Sequence, residues 1–232
     1  MNILITGATR GIGKSIADNL EGEIFVAGRN EELLRQYNNF CVCDLATHKG
    51  MEKLGCYIEE NKIDVLINNA GEYLYTPILS GFDIDDLEHI IKLNLEAPLY
   101  LASKAVKNMK KNGFGRIINI GSISGVMGEA NASLYSASKS GLIGATKALA
   151  LELAEYGITV NTINPGWVDT NLAVSSINES EFSVSEIIET IPQRRFVEPN
   201  EIAYFVRYLI SNEAKGITGQ SINLCAGLSV GY

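Results

Sequence analysis

Basic charge and long apolar runs are both scarce in this sequence. Its 232 residues include 19 lysines and arginines against 27 acidic residues, which gives a formal net charge of −8. Because nucleic acids and anionic membranes bind basic surfaces, we expect neither as a partner. No apolar run approaches the roughly 20 residues that cross a bilayer. The opening MNILITG has no features of a secretory signal, so we expect a cytoplasmic protein.

Residues that bind metals are also few. The chain has four cysteines and two histidines, and none of them shows metal-ligand spacing. Cys41 and Cys43 lie in the apolar stretch FCVCDL, and we expect their side chains on opposite faces of a strand. His48 and His89 are far apart in the chain and are expected at the surface. The sequence therefore predicts no metal site and buried, reduced cysteines.

Short apolar stretches alternate with segments of helical spacing along the chain. These stretches are rich in Ile and Val and nearly continuous, which is typical of strands buried on both faces. The alternation predicts an α/β fold, a doubly wound (Rossmann) parallel sheet of about seven strands with helices on both faces, in a single domain of residues 1–232. The predicted strands are 2–6, 23–28, 40–44, 64–69, 116–122, 159–165 and 221–225.

One segment interrupts this alternation. Residues 171–197 are polar, rich in Ser and Glu and only weakly helical, and they follow the predicted strand 159–165. The carboxyl ends of the strands are where a doubly wound sheet binds its ligand. We therefore expect this segment to be a lid over a substrate. A surface excursion without a function is the alternative.

The stretch LITGATRGIGKS, residues 4–15, fits two kinds of phosphate-binding turn. Gly7, Gly11 and Gly13 follow a strand and begin a helix, which suits the pyrophosphate of a dinucleotide. Ala8 with the later Gly13-Lys14-Ser15 also fits a loosened P-loop for a nucleoside triphosphate. A P-loop enzyme needs a carboxylate after a neighbouring strand to hold magnesium, and Asp44 is a candidate. On this stretch alone both interpretations stay open, and the dinucleotide is favoured.

A second set of residues favours the dinucleotide further. Ser122 ends a predicted strand, and Tyr135 and Lys139 lie one helical turn apart, on one face of a helix. An ammonium beside a phenol favours the phenolate, so we expect a lowered pKa for Tyr135 and a proton donor for a carbonyl. Ser122 is expected to orient the substrate oxygen. Tyr100 and Lys104 have the same spacing but no serine at the corresponding position before them, so they are predicted to form part of a helix face.

Further short motifs accompany these residues in a fixed order. They are Thr6-Gly7 with Gly11 and Gly13, Asp44-Leu45, Asn68-Asn69-Ala70-Gly71, Asn94, Ser122, Tyr135 with Lys139, and NPGWVDT at 164–170. In this order and spacing the chain resembles the short-chain dehydrogenase/reductase family over essentially its whole length. The resemblance implies an oxidoreductase that transfers a hydride between a nicotinamide and a ketone or secondary alcohol.

The resemblance also implies roles for particular residues. The implied catalytic residues are Asn94, Ser122, Tyr135 and Lys139, with Tyr135 as acid and base. In this set Lys139 tunes Tyr135, Ser122 binds the carbonyl oxygen and Asn94 anchors a water molecule. The implied cofactor-binding residues are Gly7, Thr9, Arg10, Gly11, Ile12, Gly13, Arg29, Asp44, Leu45, Asn69, Ala70, Gly71, Tyr135, Lys139, Pro165, Gly166, Val168 and Thr170.

The residues after the second predicted strand indicate which nicotinamide cofactor binds. NAD sites usually have an acidic residue there for the ribose 2′-OH, and NADP sites have a basic one. Here Arg29 follows the strand and the first carboxylate is Glu31. Arg10 is expected near the same ribose, and two guanidinium groups can hold a 2′-phosphate through charge-assisted hydrogen bonds. We therefore predict NADP(H) rather than NAD(H), and mainly reduction.

Within the family, the pattern is closest to the 3-oxoacyl-(acyl-carrier-protein) reductases. Those enzymes commonly have a basic residue for docking the acidic carrier just before the glycine that ends the catalytic helix. Here Glu155 and Tyr156 precede Gly157, and the net negative charge also disfavours an acidic partner. The substrate is therefore left open between an acyl-thioester ketone and another small ketone.

The sequence also leaves the assembly and two other functions as expectations. We expect a homo-oligomer, a dimer or tetramer, with contacts through long helices at 86–112 and 133–156. A regulatory protein that binds the cofactor on the same fold without turnover is one alternative function. A P-loop nucleotide-binding enzyme is the other and is less favoured.

Overall fold

The computed structural model describes residues 1–170 and 183–230. Within them, parallel strands form one seven-stranded sheet in the order β3-β2-β1-β4-β5-β6-β7, which confirms the predicted fold class. The order reverses between β1 and β4, and in such sheets the ligand binds beside the reversal. The strands are β1 Asn2–Thr6, β2 Glu23–Gly28, β3 Asn39–Val42, β4 Val65–Asn68, β5 Gly115–Ile120, β6 Ile158–Pro165 and β7 Ser221–Leu224.

Helices cover both faces of the sheet. They are α1 Gly11–Asn19, α2 Glu31–Leu34, α3 His48–Glu60, α4 Ile84–Ile91, α5 Ala97–Asn112, α6 Ser124–Met127, α7 Ser133–Leu153, α8 Val184–Thr190 and α9 Pro199–Ile210, with single turns at Ile78–Ser80, Lys92–Glu96, Ala154–Tyr156 and Leu228–Val230. Helices α1 and α9 pack on one face, and α3 and α5 pack on the other. No described helix is both long and apolar enough to cross a membrane.

The apolar character of β1 follows from these two layers. Ile3 and Ile5 point into the layer of α1 and α9, whereas Leu4 points into the layer of α3 and α5. All three side chains are completely buried. Because neighbouring residues on a strand face opposite sides, a sheet covered on both faces needs apolar residues at successive positions. This is why the predicted strands are continuous apolar runs.

The prediction that Cys41 and Cys43 face opposite sides is wrong. Both side chains lie in the layer of α3 and α5, and they form a hydrogen bond with each other. Residues two apart on an extended chain share a face, and this spacing rule places the two thiols together. The hydrogen bond with Cys43 lowers the pKa of the Cys41 thiol.

The long helix predicted over 86–112 is divided in the structure. Helix α4 ends at Ile91, and a π-helical turn over Lys92–Glu96 leads into α5. Pro98 explains this turn: in a regular α-helix its N–H would bond to the carbonyl oxygen of Asn94, and proline has no N–H. The wider turn contains Asn94, one of the predicted catalytic residues.

Buried polar side chains fix α7 on the sheet. Asn68 of β4 donates a hydrogen bond to Asn119 of β5 at 2.9 Å, and Asn119 donates to Thr146 of α7 at 2.9 Å. Thr146 Oγ1 in turn lies 2.7 Å from Thr162 Oγ1 of β6. Three strands are therefore tied to the helix that carries Tyr135, and a misplaced helix would leave buried polar groups unpaired.

Part of the predicted lid lies outside the described residues, namely 171–182. In the described remainder of the segment, Val184–Thr190 form α8, whose first turn is closed by a capping box between Ser183 and Glu186. Val197 forms an isolated parallel bridge with Val168. The end of the segment is thus attached beside the loop that follows β6.

Candidate active site

A cleft of about 670 Å³ runs along the carboxyl ends of the strands. Its walls come from the turns after β1, β2, β3, β4, β5 and β6, so it crosses the point where the strand order reverses. Of the catalytic and cofactor-binding residues that the family resemblance implies, only Asn94 does not line it. The predicted residues that do are Gly7, Thr9, Arg10, Gly11, Ile12, Gly13, Arg29, Asp44, Leu45, Asn69, Ala70, Gly71, Ser122, Tyr135, Lys139, Pro165, Gly166, Val168 and Thr170.

The glycine turn is packed tightly against the turn after β4. A Cβ on Gly13 would collide with the carbonyl oxygen of Gly7 and with the side-chain amide of Asn69, so only glycine fits there. The Asn69 amide donates hydrogen bonds to the carbonyls of Thr6, at 2.9 Å, and Gly7, at 3.1 Å. The side chain of Arg10, the N-cap residue of α1, makes no capping hydrogen bond, and N–H groups at the start of a helix can bind an anion.

The P-loop interpretation requires Lys14 and Ser15 to face a bound phosphate. Instead, Lys14 Nζ forms an ion pair with Asp18 at 2.6 Å on the exposed side of α1. The Ser15 hydroxyl donates a hydrogen bond to Asn200 of α9 at 2.7 Å. Neither side chain lines the cleft. The geometry of this turn therefore suits a dinucleotide and not a nucleoside triphosphate.

The two arginines of the predicted phosphate clamp have different surroundings. Arg10 is exposed at the start of α1. Arg29 forms an ion pair with Glu72, with 2.6 Å between Nη2 and Oε1, and the other oxygen of Glu72 lies 2.8 Å from Nε2 of His89. Glu72 also lines the cleft. Arg29 thus lies at the cleft, but its guanidinium is paired with the carboxylate of Glu72, which was not among the predicted site residues.

Ser122, Tyr135 and Lys139 come together on one wall of the cleft. Ser122 forms a side-chain hydrogen bond with Tyr135. The Lys139 ammonium lies 5.7 Å from the centre of the Tyr135 ring and donates a hydrogen bond to the carbonyl of Ile120 at 3.0 Å. A Cβ on Gly71 would lie 3.2 Å from the Lys139 nitrogen. The ammonium therefore faces the cleft beside the turn after β4.

The electrostatics of this wall differ from the sequence prediction. Burial raises the pKa of Tyr135 to about 12, and its hydrogen bond with Ser122 only partly offsets this rise. Burial also lowers the pKa of Lys139 to about 8. The expectation of a lowered phenol pKa is therefore wrong, because removal from water penalises the phenolate more than the nearby groups stabilise it. At neutral pH the phenol is protonated, which is the form that donates a proton.

Asn94 lies behind the cleft wall and is 1% exposed. Its side chain forms two hydrogen bonds with the backbone of Glu72: Oδ1 accepts from the Glu72 N–H at 3.0 Å, and Nδ2 donates to the Glu72 carbonyl at 2.9 Å. Nδ2 also donates to the hydroxyl of Ser138 at 3.2 Å. The amide thus connects the turn after β4 to the helix that carries Tyr135.

The loop after β6 closes the cleft against the glycine turn. A Cβ on Gly11 would lie 3.3 Å from Cγ2 of Thr170, which brings the two loops into contact. In the turn after β3, which also lines the cleft, the Asp44 carboxylate accepts a hydrogen bond from the N–H of Ala46 at 3.0 Å and thereby shapes its own turn.

Several residues of the cleft were not predicted from sequence. Ser124 and Glu129 lie between Ser122 and Tyr135 in the chain, and Tyr73 follows the motif that ends at Gly71. The Glu129 carboxylate accepts hydrogen bonds from the hydroxyls of Ser124, at 2.6 Å, and Tyr73, at 2.9 Å. The sequence signal for these three residues was their position in the chain, since each lies within a few residues of a predicted motif.

Known proteins are similar to this chain in sequence and in fold. The family model described as enoyl-(acyl carrier protein) reductase matches residues 7–229. The 3-oxoacyl-(acyl-carrier-protein) reductase FabG of Rickettsia conorii is 37% identical over 235 residues, which covers 97% of this chain and 95% of that protein. The chain belongs to the short-chain dehydrogenase/reductase family. As a member of this family, it is an oxidoreductase.

Solved structures of short-chain dehydrogenases/reductases match the whole fold. A variant of the actinorhodin polyketide ketoreductase, crystallised with NADPH, is 36% identical, with a TM-score of 0.92 over 99% of this chain and 97% of that one. YwfH, an NADPH-dependent reductase involved in bacilysin biosynthesis, is 27% identical, with a TM-score of 0.89 over 100% of this chain and 99% of that one. The described cleft thus lies in a fold that is similar to those of these two proteins.

Proposed function

We propose that this protein is an NADPH-dependent carbonyl reductase in which Tyr135 donates the proton to a ketone. The observation that carries the proposal is the hydrogen-bonded pair of Ser122 and Tyr135 on the cleft wall, with the Lys139 ammonium beside it. A serine, a protonated phenol and a cation at one point of a cleft suit the charge that develops on a carbonyl oxygen during reduction.

The cleft fits a nicotinamide dinucleotide along its length. The first turn of α1 and the glycine turn before it would hold the pyrophosphate, since Gly7, Gly11 and Gly13 line the cleft and allow close approach to the backbone. We propose that Asp44 and Leu45 flank the adenine and that Lys139 binds the nicotinamide ribose. The loop of residues 165–170 would contact the nicotinamide itself.

The side chains of the wall divide the work of the reaction between them. A bound nicotinamide supplies the hydride to the carbonyl carbon. Ser122 holds the carbonyl oxygen by a hydrogen bond, and the Tyr135 hydroxyl gives that oxygen its proton. Because the pKa of Tyr135 is raised to about 12, the phenol is in the donating form at neutral pH. The Lys139 ammonium then stabilises the phenolate that remains.

Two findings support NADPH over NADH. The solved ketoreductase structure contains NADPH, and YwfH is described as NADPH-dependent. Arg10 and Arg29 line the cleft of this chain, where guanidinium groups would pair with a 2′-phosphate. We expect a higher kcat/KM with NADPH than with NADH, and a reversal of this preference in Arg29→Asp. Equal kcat/KM values for the two cofactors in the native protein would contradict the proposal.

We propose a 3-oxoacyl thioester, or another small ketone, as the substrate class. The Rickettsia conorii relative is named for its action on 3-oxoacyl groups bound to acyl carrier protein. In this chain the residues before Gly157 are Glu155 and Tyr156, so a basic docking residue for the carrier is missing there.

Four other expectations stay predictions: a single domain over residues 1–232, a lid over 171–197, a homo-oligomer and a cytoplasmic location.

The chain contains its own control for a test of Tyr135. Tyr135→Phe removes the proton donor, and we expect kcat to fall by at least about a hundredfold with NADPH binding retained. Tyr100→Phe removes the hydroxyl of the other tyrosine in a Tyr-x-x-x-Lys pattern, which packs on α5 against α3, and kcat should stay near the native value. Both are measured as NADPH oxidation with a 3-oxobutanoyl thioester.

Two results would oppose the proposal in different ways. A Tyr135→Phe variant with native kcat would exclude Tyr135 as the proton donor. Native protein that binds NADPH tightly but oxidises it with no ketone of a broad panel would favour the alternative, a regulatory protein that senses the cofactor.

A further inference from the structure

A carboxylate lies beside the reacting groups, and the proposed reaction does not use it. Glu129 follows α6 in the chain, is only partly exposed and lines the cleft. Both of its oxygens have partners: Oε2 accepts from the Ser124 hydroxyl at 2.6 Å, and Oε1 accepts from the Tyr73 hydroxyl at 2.9 Å. These two hydrogen bonds hold the carboxylate in one orientation.

A chain of hydroxyl groups connects this carboxylate to the carbonyl-binding serine. Ser122 Oγ donates to Ser124 Oγ at 3.0 Å, and the N–H of Ser124 donates back to Ser122 Oγ at 3.1 Å. Ser124 in turn donates to Glu129. The negative charge is therefore two hydrogen bonds from the oxygen that would hold the substrate carbonyl, so the neighbouring part of a substrate must pass close to it.

No cation neutralises Glu129 among residues 1–170 and 183–230, since none of their ion pairs includes it. The charge also acts across the wall, because Glu129 contributes to the raised pKa of Tyr135. An ionised carboxylate has about four acceptor positions, and within the part of the chain that the structure describes, Ser124 and Tyr73 use two of them. The remaining positions are left for donors that enter the cleft.

We propose that Glu129 is a specificity-determining residue, selecting ketones that carry a hydroxyl or ammonium group near the carbonyl and rejecting those that carry a carboxylate there. This inference rests on the proposed reductase activity. A donor group on the substrate replaces the water around Glu129 with a charge-assisted hydrogen bond. A substrate carboxylate instead meets a like charge in a partly enclosed site, where repulsion is stronger than in open water.

The test compares methyl ketones that share one two-carbon arm and differ in its terminal group. The arm ends in an ammonium, a hydroxyl or a carboxylate, and kcat/KM is measured with NADPH at neutral pH. We expect the ammonium ketone to be reduced best and the carboxylate ketone worst, with on the order of tenfold or more between these two. In Glu129→Gln this ratio should fall toward one.

Two variants control for charge and for folding. Glu152→Gln removes the same charge from the exposed end of α7, outside the cleft, and should keep the native ratio. Glu129→Asp retains the carboxylate and should keep the preference for the ammonium ketone. The native ranking itself needs no variant, so a Glu129→Gln protein that fails to fold still leaves the inference testable.

The possible failures are distinguishable. Native protein that reduces all three ketones with equal kcat/KM, or prefers the carboxylate ketone, overturns the inference while the reductase activity stands. A native ratio that persists in Glu129→Gln also overturns it. Native protein that reduces none of these ketones and no other ketone overturns the proposed function and this inference together.

Discussion

At the scale of single residues, two tyrosine–lysine pairs of this chain have the same spacing and a similar distance between the ammonium and the ring. Lys139 lies 5.7 Å from the centre of the Tyr135 ring, and Lys104 lies 5.3 Å from that of Tyr100. The surroundings differ: Lys139 is 4% exposed on the cleft wall, whereas the other pair packs on α5 against Gly55 of α3. Helical spacing sets the distance between two side chains, and burial decides their chemistry.

The buried Lys139 ammonium should cost the protein stability. Burial lowers its pKa from 10.5 to about 8, so Lys139→Met should raise the free energy of unfolding at pH 7 by up to about 3 kcal/mol. Because the folded-state pKa is the lower one, the cost is fully present below pH 8. It is relieved between pH 8 and 10.5, where the folded state has lost the proton and the unfolded state still holds it.

Urea unfolding at neutral and at high pH checks this prediction. The gain from Lys139→Met should shrink as the pH rises from 8 toward 10.5, while ketone reduction should be strongly impaired throughout. A variant less stable than the native protein at neutral pH would show that the hydrogen bond of Lys139 to Ile120 outweighs the cost of burying the charge.

The residues of the site were predictable only where they belong to a local pattern. Gly7, Gly11 and Gly13 could be found because one short turn needs all three, and Tyr135 with Lys139 because one helix face carries both. Glu129 could not be found, because its place beside Ser122 depends on the path of the chain between α6 and α7. The raised pKa of Tyr135 could not be predicted either, since it results from burial, and burial depends on how the walls of the cleft pack together.

At the scale of helices and strands, glycines mark where elements approach each other and where they do not. Gly13 of α1 lies directly against the carbonyl of Gly7, so α1 can reach the turn after β1 only without a side chain at this position. Gly144 of α7 has no atom within 4 Å of the position of a Cβ. Two glycines inside helices thus have opposite requirements.

Alanine at these two positions should therefore have opposite effects. Gly13→Ala forces α1 away from the glycine turn, and we expect a loss of about 3 kcal/mol in the free energy of unfolding together with loss of NADPH binding. Gly144→Ala adds a good helix former at an open position and should stabilise by about 0.5–1 kcal/mol. Thermal unfolding and NADPH titration measure both; a neutral Gly13→Ala would contradict the tight contact.

The sequence predicted which strands and helices form better than it predicted where they end or are interrupted. All seven strands lie where apolar runs predict them, but β3 covers Asn39–Val42 and not residues 40–44. The predicted helix over 86–112 contains the π-helical turn that Pro98 explains. An apolar run shows that a strand is buried, whereas its ends depend on the backbone hydrogen bonds of its neighbours.

At the scale of the whole molecule, long helices with exposed apolar residues remain on the surface. Leu151 of α7 is 85% exposed and Leu99 of α5 is 37% exposed. Single exposed leucines are common on monomeric proteins, but these two lie on the helices predicted to form subunit contacts. The sequence predicted the helices, and it gave no measure of the area that an interface would bury.

Leu151→Glu should weaken the predicted assembly. If α7 forms a subunit contact, the native protein should sediment as a dimer or tetramer, and the variant should shift toward the monomer because a charge would be buried at the contact. Sedimentation at several protein concentrations measures this. A native protein that is monomeric at every concentration, or a variant with an unchanged mass, would exclude this face.

The polar chain from Asn68 through Asn119 and Thr146 to Thr162 has a consequence for how the molecule opens. If one of these side chains moves away, its neighbours keep buried polar groups that have no hydrogen-bond partner and no contact with water. Partial opening within β4, β5, β6 and α7 is therefore penalised. The backbone amides of these four elements should therefore exchange with deuterated solvent as a single cooperative unit. Helix α7, which carries Tyr135, would then be among the last parts of the protein to unfold.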